Sequence, residues 1–350
     1  MKESFPTNLF FDEGGLYYIW KGIREGGRQI RSKEIIVIHS SFRPIADHII
    51  AWWLKGRFPH IRWIADYRDV HVDENRSNTF FPAWQHRIER YLLRRADVLS
   101  TVSVGLADFL GMYDRPVFIL RNGIPMERLF DKDPELRVDK FTINYTGTIY
   151  PDKQDAATLL SALQLLIKSK RVHPASIAIR CVGKDYNYWQ NKLIESDLLH
   201  CGQLLLPVGL ESSLAYQRQA HINLLLSWSG PAFSGVLTGK LYEYLSARRP
   251  ILALINGPED IELTSMISNY NQGRAWSTEN LEIEELASWI EEMYQAWSKD
   301  IHHPVFHFSG SLLDVSWDVQ MDHFLEELPF DIPVGYLQED ANLVGCHEAD

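Results

Sequence analysis

Short apolar runs alternate with longer stretches of helical periodicity along most of this chain. Runs at 35–39, 61–65, 98–102 and 117–120 read as strands, separated by helical patterns at 46–54, 84–95 and 104–112. A basic helical stretch over 19–32 precedes them. Residues 126–139 are polar and charged, include Pro134, and read as a linker. A second series follows, with strands expected at 141–145, 176–182, 221–226, 251–255 and 274–276. Its helices are expected at 155–168, 186–195, 211–220, 240–247 and 281–299. A last helix is expected over 312–327 and a loose acidic tail over 329–350. Strands that alternate with helices form parallel sheets. The expected fold is therefore α/β, two doubly wound Rossmann-like domains facing across a cleft. The first spans 1–125 and the second 140–310. The carboxyl ends of the strands are where such sheets bind ligands, so the loops after strands are where chemistry is expected.

Composition narrows the function classes. The chain has 350 residues, 45% of them hydrophobic, and no apolar run long enough to span a bilayer. No basic region followed by an apolar core marks its first residues as a signal peptide. Three cysteines, Cys181, Cys201 and Cys346, suit neither a disulfide framework nor a zinc site, and fit a cytoplasmic location. The net charge of -11 argues against nucleic acid as a partner. The charge is uneven: residues 1–130 hold 19 Lys+Arg against 15 Asp+Glu, leaving 16 against 31 for the remainder. A basic first half suits work beside anionic lipid, as a peripheral contact at the inner membrane face, or beside an anionic acceptor, and equally suits solvated helix faces.

The stretch 227–253 carries the most specific chemistry. A strand runs into a loop of small residues that ends at Thr238-Gly239-Lys240, and a helix follows, opening near Lys240. The first turn of such a helix presents unpaired N–H groups at the carboxyl edge of the sheet, which suits a phosphate. Thr238 is placed to cap the helix, Gly239 to admit a ligand against the backbone, and Lys240 to add a positive charge. Glu243, one turn on, can accept from a pair of sugar hydroxyls.

The chain resembles a GT-B glycosyltransferase of family four, the retaining group 1 transferases. The resemblance rests on Ala65-Asp-Tyr-Arg-Asp69, Ala96-Asp97, Thr101-Val-Ser103, Asn122-Gly123-Ile124, Tyr145-Thr-Gly-Thr-Ile-Tyr150 with Lys153, Val182-Gly183, and Thr238-Gly-Lys-Leu-Tyr-Glu-Tyr-Leu245 with Pro250. It covers 35–328. It implies a nucleotide-diphosphate sugar donor, UDP- or GDP-linked, held by the second domain, and no metal or other cofactor. It implies that Glu243 holds the ribose and Lys153 the diphosphate. Gly147, with Thr148 beside it, lets the first loop pass close to the phosphates, and Gly183 packs against the nucleotide. Leu237, Thr238, Gly239 and Lys240 would cradle the diphosphate by backbone N–H groups. The acceptor it implies is a glycan or lipid-linked glycan of cell-surface polysaccharide. In the first domain, His39 at a strand end is a candidate for the transferred sugar or acceptor, and equally a plain strand-end histidine. Asp69 is a candidate to orient or deprotonate the acceptor hydroxyl, and equally a partner of Arg68 in a loop-closing pair.

The chain departs from the family in three places. The first glutamate of the paired motif falls at Gly235, eight positions before Glu243, where the backbone or Ser234 would serve instead. The arginine that accompanies the lysine falls at Thr148. The first domain is short, with only Gly14-Gly15 to stand for a glycine-rich first loop. These departures keep two alternatives open: an inactive homologue acting as a binding subunit, and a nucleotide-sugar epimerase.

Overall fold

The computed structural model describes residues 15–42, 44–69, 81–130, 139–150, 153–230, 235, 237–300 and 311–332. Its strands are β1 (Val37–Phe42), β2 (Arg62–Tyr67), β3 (Val98–Thr101), β4 (Val117–Ile119), β5 (Phe141–Thr146), β6 (Ile177–Val182), β7 (Gly202–Leu205), β8 (Ile222–Trp228), β9 (Ile251–Asn256) and β10 (Gly273–Ser277). Its α-helices are α1 (Gly15–Ser32), α2 (Ile45–Arg57), α3 (Pro82–Leu93), α4 (Val104–Leu110), α5 (Ala157–Lys168), α6 (Tyr186–Glu195), α7 (Leu210–Arg218), α8 (Gly239–Ser246), α9 (Ile261–Asn269), α10 (Ile283–Lys299) and α11 (Trp317–Glu327). Two compact units result. The first comprises the described residues up to Arg121 and from Met321 onward; the second is Asn122–Gln320.

In the first unit β1 to β4 form a parallel sheet in sequence order. Right-handed crossovers then put α2, α3 and α4 on one face. Phe42, Trp63, Ala65 and Tyr67 accordingly pack with Leu92, Leu93 and Leu110. Ile64, Val98 and Leu120, on the other face, receive Phe324 and Leu328 from the end of the chain. Helix α1 lies along α2, where Gly22 and Gly26 admit Ile50 and Leu54 closely. Gly15 opens this helix rather than a glycine loop.

In the second unit six parallel strands take the order β10-β9-β8-β5-β6-β7. Strand β5 lies next to β8, and the chain winds outward from that pair in both directions. Helix α5 therefore covers one face, with Leu159, Leu160 and Leu163 against Ile143, Ile179 and Leu224. Helix α8 covers the other, with Leu241, Tyr244 and Leu245 against Leu225, Ala253 and Ile255. Strand β7 and helix α9 were not expected from periodicity. β7 is four residues long and only partly buried, too short to show a repeat. The segment expected as one helix over 312–327 is a 3₁₀ turn at Leu312–Val315, then α11, interrupted where Ser316 bridges to Ile124. Of the expected linker, Met126–Phe130 is a 3₁₀ helix. At the start of the expected tail, Phe330 and Ile332 pack on the first unit's core.

Candidate functional site

The order of strands in the second unit locates the site. At a switch point the loops after two adjacent strands leave toward opposite faces, and a crevice opens between them. Here those loops follow β5 and β8. The sequence builds the first loop around Gly147, at φ +119°, a conformation that favours glycine. Its N–H donates to Val182 O at 2.9 Å. Gly183, after β6, lies against it so closely that a Cβ there would sit 2.1 Å from Gly147 O. The loop continues through exposed Thr148, whose carbonyl accepts from Tyr145 Oη at 2.8 Å. Asp185 Oδ2 then accepts from Ile149 N at 2.8 Å. Asp185 stands at the N-cap position of α6 without capping it, and serves the neighbouring loop instead.

Lys240 reaches this loop from the other side of the switch point. Its Nζ donates to Tyr145 Oη at 3.1 Å and lies 4.2 Å from the Tyr145 ring centroid. A Cβ built on Gly147 would lie 2.8 Å from that nitrogen. Loss of water around the ammonium pushes its pKa down to about 8, against the pull of Glu243 and Asp185. Burial pushes the Tyr145 phenol up, so it stays neutral, accepting from Lys240 and donating to Thr148. No carboxylate among the described residues forms an ion pair with Lys240. The arrangement is a desolvated positive charge held at the edge of a glycine loop.

Helix α8 begins one residue before the expected start. Thr238 takes the N-cap position in extended conformation but makes no side-chain cap bond, which corrects the expected capping role. The N–H groups of Gly239 and Lys240, in the first turn, have no helical partners by geometry. Gly239 is exposed, and a Cβ on it would meet nothing within 4 Å. Leu237 is corrected as well: it is buried, and its N–H is spent on Gly235 O at 2.8 Å. Gly235 is at φ +75° and donates to buried Asp260 Oδ2 at 2.9 Å. A glutamate would be strained in that backbone. Ser234 lies outside the described residues.

Glu243 points back toward the end of β5. Buried Gln217 donates from Nε2 to Glu243 Oε2 at 2.8 Å and to Thr146 Oγ1 at 3.0 Å. One carboxylate oxygen is thereby oriented. Lys153 is held elsewhere on the loop: its Nζ lies 5.0 Å from the Trp228 ring centroid at the end of β8, and its carbonyl accepts from Asn256 Nδ2 at 3.0 Å. The structure thus brings Gly147, Thr148, Gly183, Lys240 and Glu243 to one switch point. Tyr145, Asp185, Gln217 and Asp260 were missed as organisers. Only Tyr145 left a signal, as part of the quoted Tyr145–Tyr150 motif.

The first unit holds the remaining candidates. His39 is the third residue of β1 and not its end, because the strand continues to Phe42. It is exposed, yet partial loss of water around the ring pushes its pKa below the ordinary histidine value; Asp66 opposes the shift and Arg68 adds to it. Asp69 lies in the bend beyond β2, exposed, rather than at the strand's end. Arg68 Nε pairs with Asp66 Oδ2 at 2.7 Å. Asp66, only 1% exposed, also accepts from Ser41 Oγ at 2.9 Å and Ser100 Oγ at 2.7 Å. No group of three or more His, Cys, Asp or Glu among the described residues is placed to hold a metal ion.

No known family profile matches the chain, and no curated protein matches its sequence. Solved structures match in fold. Sucrose-phosphate synthase from Thermosynechococcus elongatus superposes with a TM-score of 0.55 at 13% identity, over 90% of this chain and 77% of that one. The lipopolysaccharide outer core galactosyltransferase WaaB gives 0.56 at 10% identity, over 88% and 79%. A Listeria monocytogenes protein assigned as a UDP-N-acetylglucosamine 2-epimerase gives 0.50 at 11% identity, over 90% and 82%. At these identities the likeness is one of fold: two Rossmann-like domains of the GT-B class, an architecture shared by sugar transferases and an epimerase.

Proposed function

We propose that the second unit binds a nucleoside-diphosphate sugar at the β5/β8 switch point, and that the protein transfers the sugar, with retention and without a metal, to a glycan or lipid-linked acceptor. The observation that carries this reading is the Lys240 ammonium, desolvated beside Gly147 and next to an uncapped helix N-terminus. A diphosphate would bring negative charge to the ammonium and acceptors to the helix N–H groups together. Glu243, held by Gln217, would accept the two ribose hydroxyls, and Lys153 would approach the diphosphate from the loop after β5. During transfer the bond from the anomeric carbon to the diphosphate oxygen breaks, and a bond to the acceptor oxygen forms on the same face. The acceptor proton passes to the departing diphosphate. The charge that builds there is stabilised by the helix amides and Lys240 more than in the ground state. His39 and Asp69 are the proposed acceptor-side groups.

Calorimetry with UDP and GDP tests the donor site. Glu243→Ala and Lys153→Ala should each weaken binding by roughly tenfold or more, the loss of about one charge-assisted contact. If neither changes the affinity for any nucleoside diphosphate, the site is misassigned. Incubation with UDP- and GDP-sugars then separates transfer or hydrolysis from the interconversion an epimerase would show.

The low lysine pKa adds a pH signature with two opposite signs. Lys240 is charged below about 8, so nucleotide affinity should fall as pH rises through that value. Without ligand, the unfolded chain binds an extra proton between about 8 and the ordinary lysine value, so this residue's contribution to stability rises with pH over the same window. Lys240→Met should abolish both trends. A pH-independent difference between wild type and variant would remove Lys240 from the diphosphate site.

A further inference from the structure

The outer surface of the first unit combines two properties that single helices rarely share. Helices α1 and α2 pack side by side, and α2 and α3 pack together on the same face of the sheet, so each leaves a solvent-facing stripe on one layer of neighbouring helices. On α1 that stripe carries Tyr17, Trp20, Lys21, Arg24, Arg28 and Arg31, with Tyr17 69% and Trp20 55% exposed. On α3 and the residue after it the stripe is Trp84, Arg87, Tyr91 and Arg94, with Tyr91 55% exposed. Trp53 is exposed between them on α2. The three helices hold eight Lys and Arg against three Asp and Glu. Of those acids Glu89 is buried, Asp47 accepts from Tyr18 Oη at 2.7 Å, and Glu25 is paired with Arg28.

At the end of this layer, on the amino edge of the sheet, lies an open depression of about 510 Å³ lined by Lys55, Arg94, Arg95 and Arg115. Its only carboxylate, Asp97, is already engaged by Lys55 at 2.7 Å, Arg62 at 3.1 Å and the Trp63 N–H at 2.8 Å. Arg95 is fixed by stacking 4.1 Å over Trp52 and by donating to Trp52 O at 3.1 Å. Arg115 is fixed on Arg94 O. None of Arg94, Arg95 and Arg115 has a carboxylate partner among the described residues. Ordered cations without counter-ions in a concavity select an anion.

We propose that this face rests on an anionic bilayer, with the tyrosines and tryptophans at headgroup level and the depression taking a lipid phosphate. Trp and Tyr favour the membrane interface because one end of the ring is apolar and the other polar. Basic residues beside them gain from the negative surface. The exposed aromatics distinguish this face from a plain polyanion groove, and the net charge of -11 sets the rest of the chain against nucleic acid. No described helix is long and apolar enough to cross a membrane, and the contact proposed is a peripheral one. The inference is independent of the donor-site reading.

Sedimentation of the full chain with phosphatidylcholine vesicles, with and without about one-third phosphatidylglycerol, tests it. Binding should require the anionic lipid and decline with salt, since exposed charges are screened. Arg24→Glu/Arg87→Glu/Arg94→Glu should lower vesicle affinity at least tenfold, the expected scale for reversing three surface charges. Trp20→Ala/Trp84→Ala should weaken it with the salt dependence retained. All five residues are exposed, and unchanged melting and an unchanged circular dichroism spectrum would show both variants folded. Equal binding to neutral vesicles, no response to either variant, or a face that binds inorganic phosphate, duplex nucleic acid or a second copy of the chain but not vesicles would each overturn the proposal.

Discussion

Gly183→Ala should be strongly damaging to the second unit, lowering its melting temperature by several degrees or more. The added Cβ would lie 2.1 Å from Gly147 O and 3.1 Å from Gly147 C, which are backbone atoms that cannot rotate away. Relief requires the loops after β5 and β6 to separate. That movement strains the Gly147 N–H bond to Val182 O and the Gly183 N–H bond to Leu205 O. Overpacking of this kind costs about 3 kcal/mol, and each kcal/mol moves the melting point by about 2–4 °C in a unit of this size. Gly239→Ala is the matched control. Its Cβ meets nothing, and alanine favours a helix more than glycine does, so the melting point should hold or rise slightly. If the diphosphate sits where we propose, Gly239→Ala should still weaken nucleotide binding. Thermal denaturation of the two variants therefore separates a glycine needed by the fold from one needed by a ligand. Equal melting points would show that the close approach of the two loops is not tight in solution.

Asp66→Ala should destabilise the first unit by about 3 kcal/mol, read by chemical denaturation. Removing one partner of a buried ion pair leaves the other charge uncompensated, at a cost of about 3–5 kcal/mol. The lower end applies because Arg68 is 28% exposed and water can replace part of what it loses. Two hydroxyls, of Ser41 and Ser100, lose their acceptor as well. Asp66→Asn keeps an oxygen for these donors and should cost about half as much. Asp69→Ala, at an exposed position, should cost about 1 kcal/mol or less. A large fall in kcat for Asp69→Ala with stability kept would support its proposed acceptor role. A stability loss as large as that of Asp66→Ala would make it structural.

These two carboxylates also show how far the sequence could be read. Asp66 and Asp69 stand in one motif, Ala65-Asp-Tyr-Arg-Asp69, and either can pair with Arg68. The sequence singles out Asp69 as the end of the strand, beside Arg68. Strand β2 in fact runs to Tyr67, which places Asp66 inside the sheet between β1 and β3, opposite Ser41 and Ser100. Only the register of three strands decides that. Likewise His39 appeared to close a strand because Ser40 and Ser41 look like a loop. Both serines instead continue β1, Ser40 accepting from Trp63 Nε1 at 2.8 Å and Ser41 donating to Asp66.

By itself the sequence determined the alternation of strands and helices, and hence two parallel-sheet units, because periodicity is a local property that each segment carries alone. It also determined which loops bear the glycines and the lysine at Gly147, Gly183 and Lys240. The tertiary structure decided that β5 and β8 are neighbours, although 75 residues separate their ends. It brought Lys240 against Tyr145 and Gly147, and Glu243 against Gln217. The physical reason is that strand order, burial and charge proximity arise between segments distant in the chain. A lysine's pKa of about 8 belongs to the space it is folded into, and not to the residues beside it in sequence.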